Sequence, residues 1–426
     1  MKKIILILLI ASTSLMNFAE DKSLSLEEAI KQGLKNNFQV QIVREEVNIS
    51  KNRNSWGAAG RYPNISSSVG VNNRYTNTPS QAVANERNGD GNTTYSFSID
   101  SNWALFSGFK VKMTKGKFEL QEKLSSGNAE TVMEATVQGI ILSYYRVKLE
   151  QERLKIRKEL MALSRDRYDR ELEKKKFGAA TTYTSLQYKT SMLQDEANYI
   201  SQQNTIASAM RELNRLLGNT EEIVYTLTDK FKIPSEKFQL ETLRAEMNRH
   251  NRSLKNLEIN QEILQKDVSI QKSNLWPTLS LNTGAQSSTI AGYSTYTGYA
   301  NVGISYNIFN GGNTRLAIAN AKINKKMGDL RLKEARVSLE KQLRDNLALY
   351  NTRKTILNVS DEQLKTASLS LKLSEERVNS GVINSFNYRD IQLAYLNAAL
   401  NKLQSIYDLI DSKTSLLITT GKFQFK

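Results

Sequence analysis

Two periodicities divide the chain. Between Tyr95 and Phe106, the side chains of Tyr95, Phe97, Ile99, Trp103 and Leu105 fall on one face of an alternating pattern, and Ser96, Ser98, Asp100, Asn102 and Ala104 on the other. Val302, Ile304, Tyr306 and Ile308 against Gly303, Ser305 and Asn307 repeat the pattern. Weaker versions follow two prolines, as Ile65, Val69 and Val71 after Pro63 and as Leu279 and Leu281 after Pro277. Period two predicts four strands, because successive strand side chains point to opposite faces. The rest of the chain steps differently. Leu393, Leu396, Leu400, Leu403, Tyr407, Ile410, Thr414 and Leu417 advance by three and four, as a coiled-coil seam does. Val137, Ile140, Tyr144, Val147, Gln151, Leu154, Lys158, Met161, Arg165, Tyr168 and Leu172 keep the same spacing with more polar positions. Taken as one helix, Lys110 to Lys176 is 67 residues, roughly 100 Å at about 1.5 Å per residue.

An internal repeat organises these elements. Residues 26 to 71 align with 240 to 285 at an offset of 214, placing Leu26 on Leu240, Asn37 on Asn251, Ile49 on Ile263 and Tyr62-Pro63 on Trp276-Pro277. Beyond the next loop the offset is 203, so that Phe106-Ser107-Gly108 lies on Phe309-Asn310-Gly311 and Phe177-Gly178 on Ser380-Gly381. The difference sits in one polar loop, Asn73 to Thr93, longer than its partner around Ser287 to Gly298. Each copy reads helix, proline-marked strand, loop, strand, Phe-x-Gly turn, long helix, glycine turn, long helix. The boundaries expected are a signal peptide at 1–19, a first repeat at 20–218, a linker at 219–239 and a second repeat at 240–426.

Composition narrows the chemistry. The 426 residues hold four prolines, no cysteine and one histidine. Proline scarcity permits very long helices, since proline breaks a helix interior. The lack of cysteine removes disulfides, thiolate metal sites and cysteine nucleophiles. A single histidine, His250, which reads as a surface residue near a helix start, leaves little for a metal site or a histidine base. Asn88-Gly89-Asp90-Gly91 faintly resembles a calcium loop but lacks the further acidic ligands. The sequence also holds no phosphate-binding glycine loop, nucleophile elbow or zinc spacing, so neither an enzyme nor a cofactor or metal is expected.

The N-terminus carries an address. Met1-Lys2-Lys3, an apolar run from Ile4 to Ile10 and a small, polar tail ending in Asn17-Phe18-Ala19 make a secretory signal peptide. Cleavage after Ala19 lowers the net charge from +16 to +14, with 57 basic against 43 acidic residues. That charge is spread along the chain without a compact basic and aromatic patch, which argues against nucleic acid. No later run is apolar enough for a transmembrane helix, so any entry into a membrane must use strands. Apolar residues outside and small or polar ones inside fit a barrel with a wet lumen, although an ordinary half-buried sheet gives the same alternation. Four strands cannot close a membrane barrel, the smallest of which use about eight. Copies of the chain must therefore complete the ring, because an open edge in lipid leaves backbone groups unpaired.

This order, with the motifs at its joints, resembles the TolC family of outer-membrane efflux proteins. The resemblance rests on Leu24-Ser25-Leu26-Glu27-Glu28-Ala29 with Asn36-Asn37, and on the strand entries Arg61-Tyr62-Pro63-Asn64-Ile65 and Leu275-Trp276-Pro277-Thr278-Leu279. It rests equally on the exits Leu105-Phe106-Ser107-Gly108 and Ile308-Phe309-Asn310-Gly311-Gly312, and on the turns Phe177-Gly178-Ala179-Ala180-Thr181 and Ser380-Gly381-Val382-Ile383-Asn384-Ser385. It implies a mainly helical homotrimer in which each chain gives four strands to an outer-membrane β-barrel and its long coiled-coil helices to a periplasmic α-barrel. It further implies that the turns at Gly178 and Gly381 meet a periplasmic adaptor protein and, through it, an inner-membrane transporter. Pro63 and Pro277 become structural strand entries. Independently of the resemblance, Trp103, Trp276, Tyr62 and Tyr306 are candidates either for an aromatic belt at a membrane interface or for packing inside the strand-to-helix joint.

Family members often narrow the tunnel entrance with acidic residues shortly after the second glycine turn. Asp390 matches one such position, Asn387 stands where another acid is often found, and Val378 and Ile383 occupy positions that can supply polar gate links. An ordinary solvated carboxylate paired with Arg389 or Arg377 is an equal reading of Asp390. The function implied is passive export of small molecules, drugs and toxic compounds among them, from periplasm to exterior. A type I protein-secretion channel is the alternative within the family, and a structural coiled-coil envelope protein the alternative outside it.

Overall fold

The computed structural model describes residues 22–75, 92–231, 233–290 and 292–422. The signal peptide, Pro79 and the Asn88–Gly91 stretch lie outside the described residues. The chain runs β1 (Lys22–Leu24), α1 (Leu26–Asn36), α2 (Phe38–Arg53), β2 (Asn64–Arg74), β3 (Asn92–Ser107), α3 (Lys110–Lys176) and α4 (Thr182–Leu217). It continues with β4 (Tyr225–Leu227), α5 (Leu240–His250), α6 (Arg252–Ser273), β5 (Thr278–Ile290), β6 (Tyr293–Ser305), α7 (Asn313–Asn379) and α8 (Ser385–Thr420). Helices α3 and α7 have 67 residues each, and α4 and α8 have 36 each. No described helix is long and apolar enough to cross a membrane.

Contacts divide the chain into two compact units. The first comprises residues 1–41, 133–240 and 345–418, and the second 42–132, 241–344 and 419–426. Each unit thus draws residues from both repeats. In the first, β1 pairs in parallel with β4, Lys22 opposite Tyr225 and Leu24 opposite Leu227. Helix α1 starts where Ser25 and Glu28 form a reciprocal capping box, which satisfies backbone donors that the first turn leaves free. Buried Val137, Ile140, Tyr144 and Val147 follow the seam read from the sequence. Further along α3 the seam leaves the buried face, where Leu149, Glu150, Leu160 and Ser164 are enclosed while Lys158 and Arg165 are exposed. A helix of about 3.6 residues per turn drifts by ~20° per heptad from a strict seven-residue repeat, which moves the seam off the contact.

The helix opening each repeat is broken in two. Asn37 Oδ1 accepts from the Gln39 and Val40 amides while its Nδ2 donates to the Leu216 carbonyl, at 2.9, 3.3 and 2.9 Å. In the second unit Asn251 repeats the arrangement, accepting from the Leu254 amide and donating to the Thr419 carbonyl, each at 2.9 Å. Gly218 and Gly421, with φ of +75° and +66°, lie so close to the carbonyls of Asn36 and His250 that a Cβ at either would collide. His250, half-buried, ends α5 at this joint.

The second unit holds one antiparallel sheet in the order β2-β3-β5-β6. Pro63 and Pro277 immediately precede β2 and β5, where a residue without an amide donor costs no ladder bond. Two sequence expectations need correction here. Most of Ser287 to Gly298 is strand, since β5 runs to Ile290 and β6 starts at Tyr293 with Ser287 opposite Tyr296. Ser, Thr and Tyr suit a hydrogen-bonded ladder, and the turn tightens at Gly292, whose φ is +85°. At its other end β6 stops at Ser305, so Tyr306 and Ile308 lie beyond it.

Candidate functional site

The sheet inverts the usual placement of apolar residues. Register puts Ile65, Val69 and Val71 of β2 on the same face as Phe97, Ile99 and Trp103 of β3, and Leu281 of β5 opposite Val302 of β6. This apolar face is exposed, Val69 to 79% and Val302 to 68%. The opposite face carries Ser66, Ser68, Ser96, Ser98, Asn102, Ser280, Asn282 and Asn301, and much of it is half-buried. Burying apolar area from water contributes about 25 cal/mol per Å², so bare apolar side chains on neighbouring strands call for an apolar surround. Strands β2 and β6 are the sheet's outer members. Aromatic side chains gather where strands meet helices. Phe109 lies edge-on to Phe106 and Trp276 at 5.3 and 6.4 Å, and Trp103 Nε1 donates to the Arg61 carbonyl at 2.8 Å. Trp276 and Tyr62 remain exposed.

In the first unit, two glycine turns end the 67-residue helices. Gly178 and Gly381 have φ of +73° and +75°, the left-handed conformation in which an L side chain is strained. Their hydrogen bonds match. Gly178 donates to Lys175 and Ala179 to Lys174, while Gly381 donates to Val378 and Val382 to Arg377. A Cβ at either glycine would meet nothing within 4 Å. Backbone angle, rather than crowding, explains glycine there. Thr181 caps α4, its Oγ accepting from the Thr184 amide at 3.1 Å.

Asn387 and Asp390 lie in the first turns of α8. The Asn387 amide donates to Asn384 Oδ1 at 2.9 Å. Asp390 is exposed, and its carboxylate has no hydrogen-bond or ion-pair partner among the described residues. The neighbours considered as its partners are not joined to it. Arg389 instead binds Asp195 of α4 through both guanidinium nitrogens.

That pair, and a second buried polar group, escaped sequence reasoning. Ser164 of α3 donates to Asp195, and Arg167 stacks over Tyr388 with its guanidinium 3.5 Å from the ring centroid. Deeper in the unit, fully buried Glu150 takes Arg146 at 2.8 Å, Arg153 at 3.1 Å and Gln202 Nε2 at 2.6 Å. Only an acid at an off-seam position of a seam-bearing helix marks Glu150 in the sequence. Among the described residues no cluster of histidines and acids could hold a metal ion.

The described fold thus combines four strands that expose an apolar face with long helices, none of them apolar enough to cross a membrane. The sequence model of the outer membrane efflux protein family matches residues 243–422. Among solved structures, a membrane protein from Pseudomonas aeruginosa is similar with a TM-score of 0.78 at 16% identity, over 93% of each chain. CusC, described through folding and transmembrane channel formation, gives 0.76 at 15% identity over 93% of this chain and 92% of its own. The CmeC outer membrane channel of Campylobacter jejuni gives 0.74 at 15% over 93% and 85%. At such identities the likeness is one of fold. No curated protein sequence matches the chain.

Proposed function

We propose that the chain is the outer-membrane channel of a tripartite efflux system, a passive homotrimeric duct that carries small molecules from periplasm to exterior. The observation that carries this reading is the inverted sheet, with apolar side chains bare on one face and a polar face on the other. Lipid satisfies the first face and a water-filled lumen the second. The outer strands β2 and β6 leave backbone donors and acceptors that strands of neighbouring copies would satisfy. In this reading residues 20–218 and 240–426 are tandem copies of one unit behind a signal peptide, joined by 219–239, and their long helices form a tunnel in the periplasm. The turns at Gly178 and Gly381, open on their outer side, would meet the adaptor protein that links the duct to an inner-membrane transporter. Asp390, exposed and without a partner, would line the entrance beside Asn387. A duct performs no chemistry on its cargo, in keeping with the structurally similar CusC and CmeC, both described as channels.

Purified full-length protein in planar bilayers tests the proposal. Discrete single-channel currents are expected, together with raised dye accumulation in a deletion strain. A protein that assembles but never conducts, and whose loss leaves accumulation unchanged, would instead be a structural coiled-coil protein of the envelope.

A further inference from the structure

Charge is almost absent from the four long strands. Among β2, β3, β5 and β6 the charged residues are Arg74, the last residue of β2, and Asp100, in the middle of β3. Register places Asp100 opposite Gly284 and Gly284 opposite Tyr299, all on the polar face. The phenol of Tyr299 lies across the intervening strand and donates to Asp100 Oδ1 at 2.5 Å. Gly284 makes this reach possible. A Cβ there would stand 2.7 Å from the Tyr299 ring and hydroxyl and 2.8 Å from Asp100 Oδ1. On the other side Ser98 donates to Oδ2 at 2.8 Å, and Ser98 and Ser68 share a hydrogen bond of 2.8 Å. A polar belt therefore crosses all four strands at one level.

Both donors to Asp100 are neutral. They fix an ionised carboxylate through charge-assisted bonds without cancelling its charge, and the one basic residue on these strands, Arg74, stands at the far end of β2 from Ser66, the residue paired with Asp100. We infer that Asp100, clamped over Gly284 by Tyr299, makes the strand-lined part of the duct prefer cations to anions. The inference rests on the channel reading above, in which this face is the lumen and each copy contributes one such carboxylate. A lumen ringed by several strands per chain is wide, so the effect depends on screening. The field of a wall charge reaches about 10 Å at ~0.1 M salt and about 30 Å at ~0.01 M. Discrimination should consequently grow as salt falls.

The competing role is purely structural, a fastening of β3 to β6. Reversal potentials of the full chain in planar bilayers under a potassium chloride gradient separate the two, because Asp100→Asn keeps the shape and an acceptor for Tyr299 while removing the charge. They should be recorded in the native chain and in an Asp390→Asn background, which takes away the charge assigned to the entrance. The expected result is a cation-to-anion permeability ratio that falls in Asp100→Asn in both backgrounds, by more at ~0.01 M than at ~1 M salt. Open channels with unchanged reversal potentials overturn the inference but leave the channel reading intact, whereas absence of any current from the native chain removes the channel reading itself. Should Asp100→Asn not assemble, Asn282→Asp, which adds a carboxylate on the same face, should raise the ratio. An unchanged ratio in that variant overturns the inference equally.

Discussion

Arg389 of α8 donates to both carboxylate oxygens of Asp195 on α4, at 2.7 and 2.8 Å, and Ser164 of α3 donates to the same carboxylate. The Asp195 side chain is 2% exposed and that of Arg389 19%. Three helices therefore meet at one buried ion pair. Deleting one member strands the other charge away from water, which costs about 3–5 kcal/mol, while replacing both with apolar residues of similar volume is often neutral. Asp195→Ala should lower the unfolding midpoint followed by helical circular dichroism, and the double variant Asp195→Leu with Arg389→Met should recover most of the loss. Equal losses in both would mean that the pair's geometry, not its charge balance, holds the helices.

The joints at Asn37 and Asn251 predict a matched pair of defects. Each asparagine caps a helix and satisfies a carbonyl of another, so Asn37→Ala and Asn251→Ala should each cost about 1–3 kcal/mol. Gly218→Ala adds strain of at least ~1 kcal/mol from a left-handed L residue, and its Cβ would collide with Asn36. Since Asn37 and Asn251 belong to different compact units, the double alanine variant should be additive. A marked departure from additivity in denaturant titrations would refute that independence.

Much of this architecture was legible because its signals are long or repeated. The span Lys110–Lys176 is helical over its whole length, as an unbroken proline-free stretch with a recurring seam allows. Alternation around Phe97 and Ile99 gave both the strand and the face that carries apolar residues. Other features were hidden for physical reasons. A hairpin of Ser, Thr, Tyr and Gly reads as a loop when its apolar alternation is weak, which concealed the ends of β5 and β6. Asp195 and Arg389 are 194 residues apart, and no local pattern announces a pair that forms only through packing. Asn37 and Asn251 were visible as aligned positions, but their second role, holding the Leu216 and Thr419 carbonyls, needs the fold.

Tyr144 supplies a pH signature. Its hydroxyl donates to the Leu24 carbonyl at 2.9 Å and receives the Asp229 amide at 3.2 Å. Burial, ahead of the nearby Asp229 carboxylate, pushes the phenol up to about 12. A group raised in the folded state contributes stability that is present below its unfolded value of about 10 and is lost as pH climbs through the folded one. Stability should thus fall by about 2–3 kcal/mol between roughly pH 10 and 12 from this residue. Tyr144→Phe should start less stable, having lost the hydrogen bonds, and should show a shallower alkaline decline. Parallel pH profiles for the two proteins would assign the decline to other groups.

Asp390 gives the corresponding test of the proposed entrance. If three copies bring this unpartnered carboxylate together in a narrow space, their mutual repulsion is relieved by a cation, and multivalent cations should block the current from the periplasmic side. Asp390→Asn should weaken that block and lower cation preference. Asn387→Asp, one helical turn earlier, should do the opposite by adding a second acidic ring. Both changes preserve side-chain shape, and Asn387 contributes its backbone amide to the Asn384 contact, so neither should disturb the start of α8. Identical block in all three proteins would place Asp390 on an outer, solvated face of the helix, and the entrance would have to be narrowed by other residues.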